Sequence, residues 1–243
     1  MGVFVLSVSS AKRVACFEAY RLLVREFSSA RVIGVGSGST VKCFLDICLE
    51  KGFFSGREVV VSSYDTLFYL YSRGFKNVVE PLTVSSIDVY IDGADEVSSN
   101  LDLVKGRGAA LLREKLLALR ATERIYVVDY TKYTGKPYLY LKPVPVEIMP
   151  WSIPWIYREL CLDNLFKPVL RMARNKDGPV VSDNGLFIVD LEPLKEIVDP
   201  EDVDKRLKLI HGVVETGIFP HRELVDRVVI GYPDKALVYR VER

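Results

Sequence analysis

Three clusters in this sequence combine residue types and spacings suited to chemistry on a small phosphorylated molecule. The first, Gly34-Val35-Gly36-Ser37-Gly38-Ser39-Thr40, lies between a β-branched run and a helical pattern. Glycines in such a turn let backbone amides converge, and the N-terminus of the following helix favours an anion. Ser37, Ser39 and Thr40 add hydroxyls. No Gly-Lys-Ser/Thr follows, so this is not a Walker loop. The third glycine of the dinucleotide fingerprint is also missing, because Ser39 or Val41 stands in its place. A small phosphate monoester suits the loop, with a tight turn capped by Ser or Thr as the purely structural alternative.

The second cluster, Asp92-Gly93-Ala94-Asp95-Glu96, begins where the β-branched run through Ile91 ends. Open parallel sheets place their ligands at that edge, so Asp92 and Asp95 can face one substrate. Acidic turns also serve as helix caps or solvated loops, and carboxylates suit a hard cation such as magnesium. The lysine that opens the third cluster argues against the cation. Lys105, Gly106, Arg107 and Gly108 precede a helical pattern in which Glu114 has Ala110, Leu111, Leu117 and Ala118 three and four positions away. An exposed i,i+4 ion pair, the common role of a helical glutamate, therefore has no partner within that helix. On an apolar face desolvation penalises the charged carboxylate, moving it towards the range useful to a base that must also return its proton. A tertiary ion pair with Arg13 or Lys42 is the structural alternative.

Elements must hold these clusters. Short β-branched runs alternate with longer helical patterns through the first half, as in βα units stacked into a mainly parallel sheet. The spacing predicts helix over about 11–27, strand 31–35, helix 41–51, strands 58–62 and 88–91, helix 109–120 and strand 124–129. Between residues 136 and 154 five prolines, at 137, 143, 145, 150 and 154, rule out a continuing helix or a central strand. A boundary is expected there, with residues 1–135 and 210–243 forming a Rossmann-like domain and 136–209 a small α+β domain. Within the latter, 180–189 reads as a hairpin about Asp183-Asn184-Gly185 and 192–209 as mostly helix.

Composition narrows the functional classes. The 33 Lys and Arg against 32 Asp and Glu leave a formal charge of +1, without the broad positive field that nucleic acid or an anionic membrane requires. The four cysteines, at 16, 43, 48 and 161, form no CxxC pair, and His211 and His221 are the two histidines, a poor supply for a nitrogen and sulfur metal site. Free, mostly buried thiols in a reducing compartment are expected. The apolar run Val3–Val8 is too short for a signal-peptide core or a membrane span, so the expected location is cytoplasmic.

Taken together and in order, GVGSGST, DGADE, KGRGAALLREK, VDYTK, PVPVE, SDNG and HGVVETGIF resemble the type A ribose-5-phosphate isomerase family from about Lys12 to the C-terminus. The resemblance implies an α/β fold, a Rossmann-like mainly parallel sheet domain with a smaller inserted α+β domain. It implies that Ser37, Gly38, Ser39 and Thr40 hold the substrate phosphate, helped by Lys12 and Lys132. Glu114 would move a proton between C2 and C1 of the open-chain sugar through a cis-enediol, while Asp92, Asp95 and Lys105 handle the oxygens. Gly93, Ala94, Gly106, Arg107 and Gly108 would line the bound sugar phosphate. No cofactor or metal is implied. Homodimers or homotetramers built through the small domain are, which makes Trp151, Trp155 and Tyr157 candidate interface residues. The family usually has glycine where this chain has Arg107. If that position requires positive φ, arginine costs roughly 1 kcal/mol or more; its charge would otherwise reach the phosphate or a carboxylate.

Three other readings share parts of this pattern. A sugar-phosphate sensor would share the acidic turn and phosphate loop, but the chain starts almost directly at the first helix, without a helix-turn-helix module or a basic surplus. An amino-sugar isomerase-deaminase would share both the loop and the acid/base pair. A nicotinamide dehydrogenase lacks support from the glycine pattern and from any acidic residue ending the strand near Ser62.

Overall fold

The computed structural model describes residues 2–242, with side chains from Ser7 onward, so the side chains at 3–6 of the run Val3–Val8 lie outside the described residues. In chain order the elements are α1 (Gly2–Glu26), β1 (Val32–Val35), α2 (Ser39–Glu50), β2 (Glu58–Val61), α3 (Tyr64–Ser72), β3 (Ile87–Asp92), β4 (Glu96–Val97), β5 (Leu103–Val104), α4 (Leu111–Arg120) and β6 (Ala121–Asp129). There follow β7 (Val144–Ile148), α5 (Ile153–Ile156), β8 (Phe166–Leu170), β9 (Phe187–Pro193), α6 (Pro200–Lys208), β10 (Val213–Thr216), β11 (Ile218–Phe219), α7 (His221–Leu224), β12 (Arg227–Gly231) and β13 (Ala236–Arg240). Among the described residues, no helix is long and apolar enough to cross a membrane.

The chain divides into two units. The first comprises residues 1–94, 113–133 and 224–243. Its six-stranded sheet runs β13-β12-β6-β3-β1-β2, parallel throughout except where β13 closes the edge antiparallel to β12. The inner strands β1, β3 and β12 are buried along nearly their whole length and are rich in Val and Ile, as strands covered on both faces are, whereas the edge strand β13 is largely exposed. The strand order reverses between β1 and β3, which makes their C-terminal ends a topological switch point. Small residues on α1 allow it to lie close on the sheet: a Cβ on Gly231 would stand 2.0 Å from the Ala11 carbonyl oxygen.

The second unit comprises residues 95–112 and 134–223. It holds the antiparallel sheet β10-β7-β9-β8, backed by α6, and the three-stranded sheet β11-β5-β4. Its boundaries differ from those expected. Residues 95–112 and 210–223 belong here because β5 pairs with both β4 and β11, a long-range pairing of two-residue strands that carries no periodic signal. Two elements also differ. Residues 192–193 end β9, and the helix begins at Pro200, behind an Asp199 cap whose side chain accepts from the Asp202 amide at 3.1 Å. Helix α3 was not expected: its exposed Tyr64, Phe68 and Tyr71 blur the amphipathic pattern that would have marked it.

Candidate active site

Two loops of the first unit meet at the switch point. Strands β1 and β3 pair with Val35 beside Ile91, which brings Gly36 alongside Asp92. The approach is so close that a Cβ on Gly36 would stand 1.8 Å from the Asp92 Cγ and 1.9 and 2.2 Å from its oxygens. Asp92, 1 % exposed, is held from several sides. Its Oδ1 accepts from the amides of Ser37 at 3.1 Å and Gly93 at 2.7 Å, and its Oδ2 accepts from the Tyr90 hydroxyl at 2.5 Å. Burial, reinforced by the Asp92 charge, pushes the Tyr90 hydroxyl well above its ordinary range, so it remains a donor. Gly36→Ala is therefore expected to destabilise the fold by about 1–3 kcal/mol, the usual cost of forcing volume into a packed site. A thermal melt coincident with wild type would contradict that.

Beyond Gly36 the loop turns through Gly38 at φ 98°, a left-handed conformation that glycine adopts without strain, and enters α2 at Ser39. Lys12 and Cys16, one helical turn apart on α1, both face this entrance: Lys12 Nζ donates to Ser39 Oγ at 3.0 Å and Cys16 Sγ to the Thr40 carbonyl at 3.4 Å. A cation, a helix N-terminus and the Ser39 hydroxyl thus gather at one point, with Thr40 next along the helix, an arrangement suited to a phosphate. Ser37 faces elsewhere, its hydroxyl donating to Ser63 Oγ at 2.7 Å and lying 3.0 Å from Ser62 Oγ. It ties the loop to the end of β2, while its amide orients Asp92. Gly93 and Thr40 are neighbours, since a Cβ on Gly93 would lie 3.8 Å from the Thr40 Cβ. Ala94, half-buried, ends this stretch of the unit. Lys132 stands, half-buried, in the turn after β6.

Glu114 is 4 % exposed, on α4 where Leu111, Leu117 and Ala118 are also buried, as is Ala110 just before the helix. Its charge, like that of Asp92, acts on the Tyr90 and Tyr126 hydroxyls, both driven upwards first by burial. Lys42, one of the cations considered as its tertiary partner, pairs with Asp65 at 2.7 Å.

The second unit places the remaining residues. The Asp95 amide donates to the Val104 carbonyl at 2.8 Å, continuing the β4–β5 pairing and setting Asp95 beside the start of the Lys105 loop. Lys105 is 3 % exposed, its amide bonded to the Gly217 carbonyl at 2.8 Å and its ammonium 5.4 Å from the centre of the Phe219 ring. Gly106 has φ 101°, with Leu111 and Pro145 too close for any side chain there. Arg107 is not among the residues with positive φ, so the feared strain does not arise; Gly106 and Ala109 take those conformations instead. The exposed Arg107 side chain reaches a carboxylate, with Nε 3.6 Å from Asp95 Oδ1, while its amide donates to Asp95 Oδ2 at 3.0 Å. Gly108 is exposed. Glu96, the third carboxylate of the acidic cluster, is structural: its two oxygens accept from the amides of Tyr140 and Lys142, both at 2.8 Å.

Tyr90, which sequence reasoning overlooked, was discoverable. It lies two residues before Asp92 in a strand, and period two puts both side chains on one face.

Comparison with known proteins agrees with these motifs. Residues 58–235 match the family model described as ribose 5-phosphate isomerase A (phosphoriboisomerase A). The ribose-5-phosphate isomerase A of Pyrococcus horikoshii is 39 % identical over 230 residues, 93 % of this chain and 96 % of that one. A solved D-ribose-5-phosphate isomerase in complex with phospho-erythronic acid superposes with a TM-score of 0.87 at 38 % identity, covering 96 % of this chain and 99 % of the other. The enzyme from Methanocaldococcus jannaschii gives 0.84 at 28 % identity, covering 96 % and 100 %. On the family match and this near-complete coverage, the chain belongs to the ribose-5-phosphate isomerase A family, enzymes that interconvert ribose 5-phosphate and ribulose 5-phosphate in the pentose phosphate pathway.

Proposed function

We propose that Glu114 is the base through which this isomerase interconverts D-ribose 5-phosphate and D-ribulose 5-phosphate, by way of a cis-enediol and without a metal. Glu114 removes the proton from C2 of the open-chain aldose and returns it to C1. Over the same steps O2 loses a proton and O1 gains one, with Asp92 and Asp95 as the carboxylates that relay it and assist ring opening. Lys105 stabilises the enediolate oxygen. The observation that carries this reading is the burial of Glu114 on an apolar helix face, in the unit that also locks Asp92 against the phosphate loop.

The substrate phosphate is held by Gly38, Ser39 and Thr40 with Lys12, and Lys132 adds positive charge at the same sheet edge. The relative that binds phospho-erythronic acid, a phosphorylated acid, supports a phosphate-bearing ligand here. Lys12→Met and Ser39→Ala are each expected to raise KM about tenfold with kcat within about threefold, the signature of lost uniform binding. Steady-state kinetics with ribose 5-phosphate in the presence of a chelator checks both this and metal independence. A collapse of kcat at unchanged KM would place these residues in the proton-transfer step instead, and loss of wild-type activity to the chelator would contradict the metal-free mechanism.

The working form is a cytoplasmic homodimer or homotetramer joined through the second unit, with neither nucleic acid nor membrane as partner. Trp151 and Trp155, 83 % and 66 % exposed, offer the aromatic surface that such interfaces use.

A further inference from the structure

Arg171 follows β8, and its backbone is fixed by bonds from its amide to the Ile188 carbonyl at 2.9 Å and from the Val180 amide to its own carbonyl at 2.8 Å. Its guanidinium does two things at once. On one edge Nε donates to Asp190 Oδ2 at 2.7 Å and Nη2 to Asp190 Oδ1, a bidentate pair between neighbouring strands β8 and β9. On the other, Nη1 donates to the carbonyl oxygens of Gly106 at 3.2 Å and Arg107 at 3.0 Å. Both carbonyls lie in the Lys105–Gly108 loop, remote in sequence and without any motif pointing to Arg171.

The consequences follow from peptide geometry. The 106–107 peptide is clamped at both ends, its carbonyl by Arg171 and by the Ala109 amide at 2.9 Å, its N–H by Asp95 Oδ2 at 3.0 Å. In the 107–108 peptide the carbonyl is turned to Arg171. Since a trans peptide points its N–H opposite to its C=O, the Gly108 amide faces away from the guanidinium, on the exposed side of the loop. A charged donor on the carbonyl also polarises that peptide and strengthens its amide as a donor.

We propose that Arg171, held by Asp190, is a positioning residue that fixes the 106–108 peptides so that the Gly108 amide and the Lys105 ammonium are set for the oxygens of the reacting sugar. This rests on the reading that the Lys105–Gly108 loop meets the substrate. Arg171 itself touches no reacting atom. Lysine at this position can keep one partner but lacks the planar fork that serves Asp190 and two carbonyls together.

The test compares Arg171→Lys, Arg171→Met and Asp190→Asn with wild type and with Lys105→Met. Arg171→Lys and Arg171→Met are expected to lower kcat about 10- to 100-fold, as misplacement of reacting groups does, with KM within about threefold. Inhibition by inorganic phosphate, which reads the phosphate loop of the first unit, should be unchanged, and Asp190→Asn should fall between Arg171→Lys and wild type. Should Arg171→Met fail to fold, the lysine and Asp190→Asn variants decide. A kcat within about threefold of wild type in folded Arg171→Lys, beside an impaired Lys105→Met, would overturn the positioning role alone. A fully active Lys105→Met would remove the loop from the reaction and the proposal with it.

Discussion

Replacing Glu114 by glutamine is expected to lower kcat by about 10³-fold or more while leaving KM within about threefold, the upper range for loss of a general base. Glutamine matches the size and shape of the carboxylate and can still make neutral hydrogen bonds. It cannot accept and return a proton. Leu111, Leu117 and Ala118 of α4 and Ala110 before it are buried, and α4 carries no second carboxylate to take over. Protonation states matter here more than contacts, so the loss is expected to fall on the chemical step and not on the phosphate binding proposed for the α2 entrance. Steady-state kinetics on a variant with a wild-type circular-dichroism spectrum checks the claim. Activity within about threefold of wild type would remove Glu114 from the mechanism.

The second large effect is expected at Lys105. Lys105→Met keeps an unbranched side chain of comparable length against Phe219 but deletes the ammonium. The loss in kcat should be about 10²- to 10³-fold, the range for removing one preorganised group from a developing oxyanion. Three features make the site rigid enough for such a role. The Lys105 amide is bonded to Gly217, a Cβ on Gly217 would stand 2.2 Å from the Lys105 carbonyl oxygen, and the side chain is 3 % exposed. A cation fixed in a water-poor setting acts through a lower effective dielectric than one on a mobile surface chain. Lys105→Arg should recover part of the loss by restoring charge. Full activity of Lys105→Met would show that the enediolate is stabilised by other groups.

Much of this is legible in the sequence. The glycine-rich loop, the acidic turn and the apolar surroundings of Glu114 are local patterns, and each stands where strand and helix periodicity put it: after β1, at the end of β3 and on α4. What the sequence could not show is non-local or aperiodic. The contact between Gly36 and Asp92 depends on register between strands more than fifty residues apart in sequence. The two-residue strands β4, β5 and β11 are too short to leave a pattern, yet their pairing assigns Asp95 and the Lys105 loop to the second unit. Ser37 looked like one more phosphate hydroxyl, and only the packing of β2 beside β1 reveals Ser62 and Ser63 as its partners. The start of α6 was readable and missed: Asp199-Pro200 supplies a side-chain cap followed by proline at the first helical position.

At Arg107, where the resemblance implies glycine, backbone geometry settles the cost of the side chain. Its φ lies outside the left-handed region, and Gly106 carries the conformation that only glycine takes easily. Arg107 therefore places a positive charge beside Asp95 without requiring a left-handed backbone.

The central claim, proton transfer through Glu114 by way of an enediol, is tested most directly with ribose 5-phosphate deuterated at C2, converted in ordinary water with a chelator present and followed by NMR. Wild type should show a primary isotope effect, with the deuterium either carried to C1 of ribulose 5-phosphate or exchanged into solvent from Glu114, and Glu114→Gln should lose both conversion and transfer. Conversion by Glu114→Gln at the wild-type rate, or a wild-type reaction without a primary isotope effect at C2 under single-turnover conditions, would contradict it.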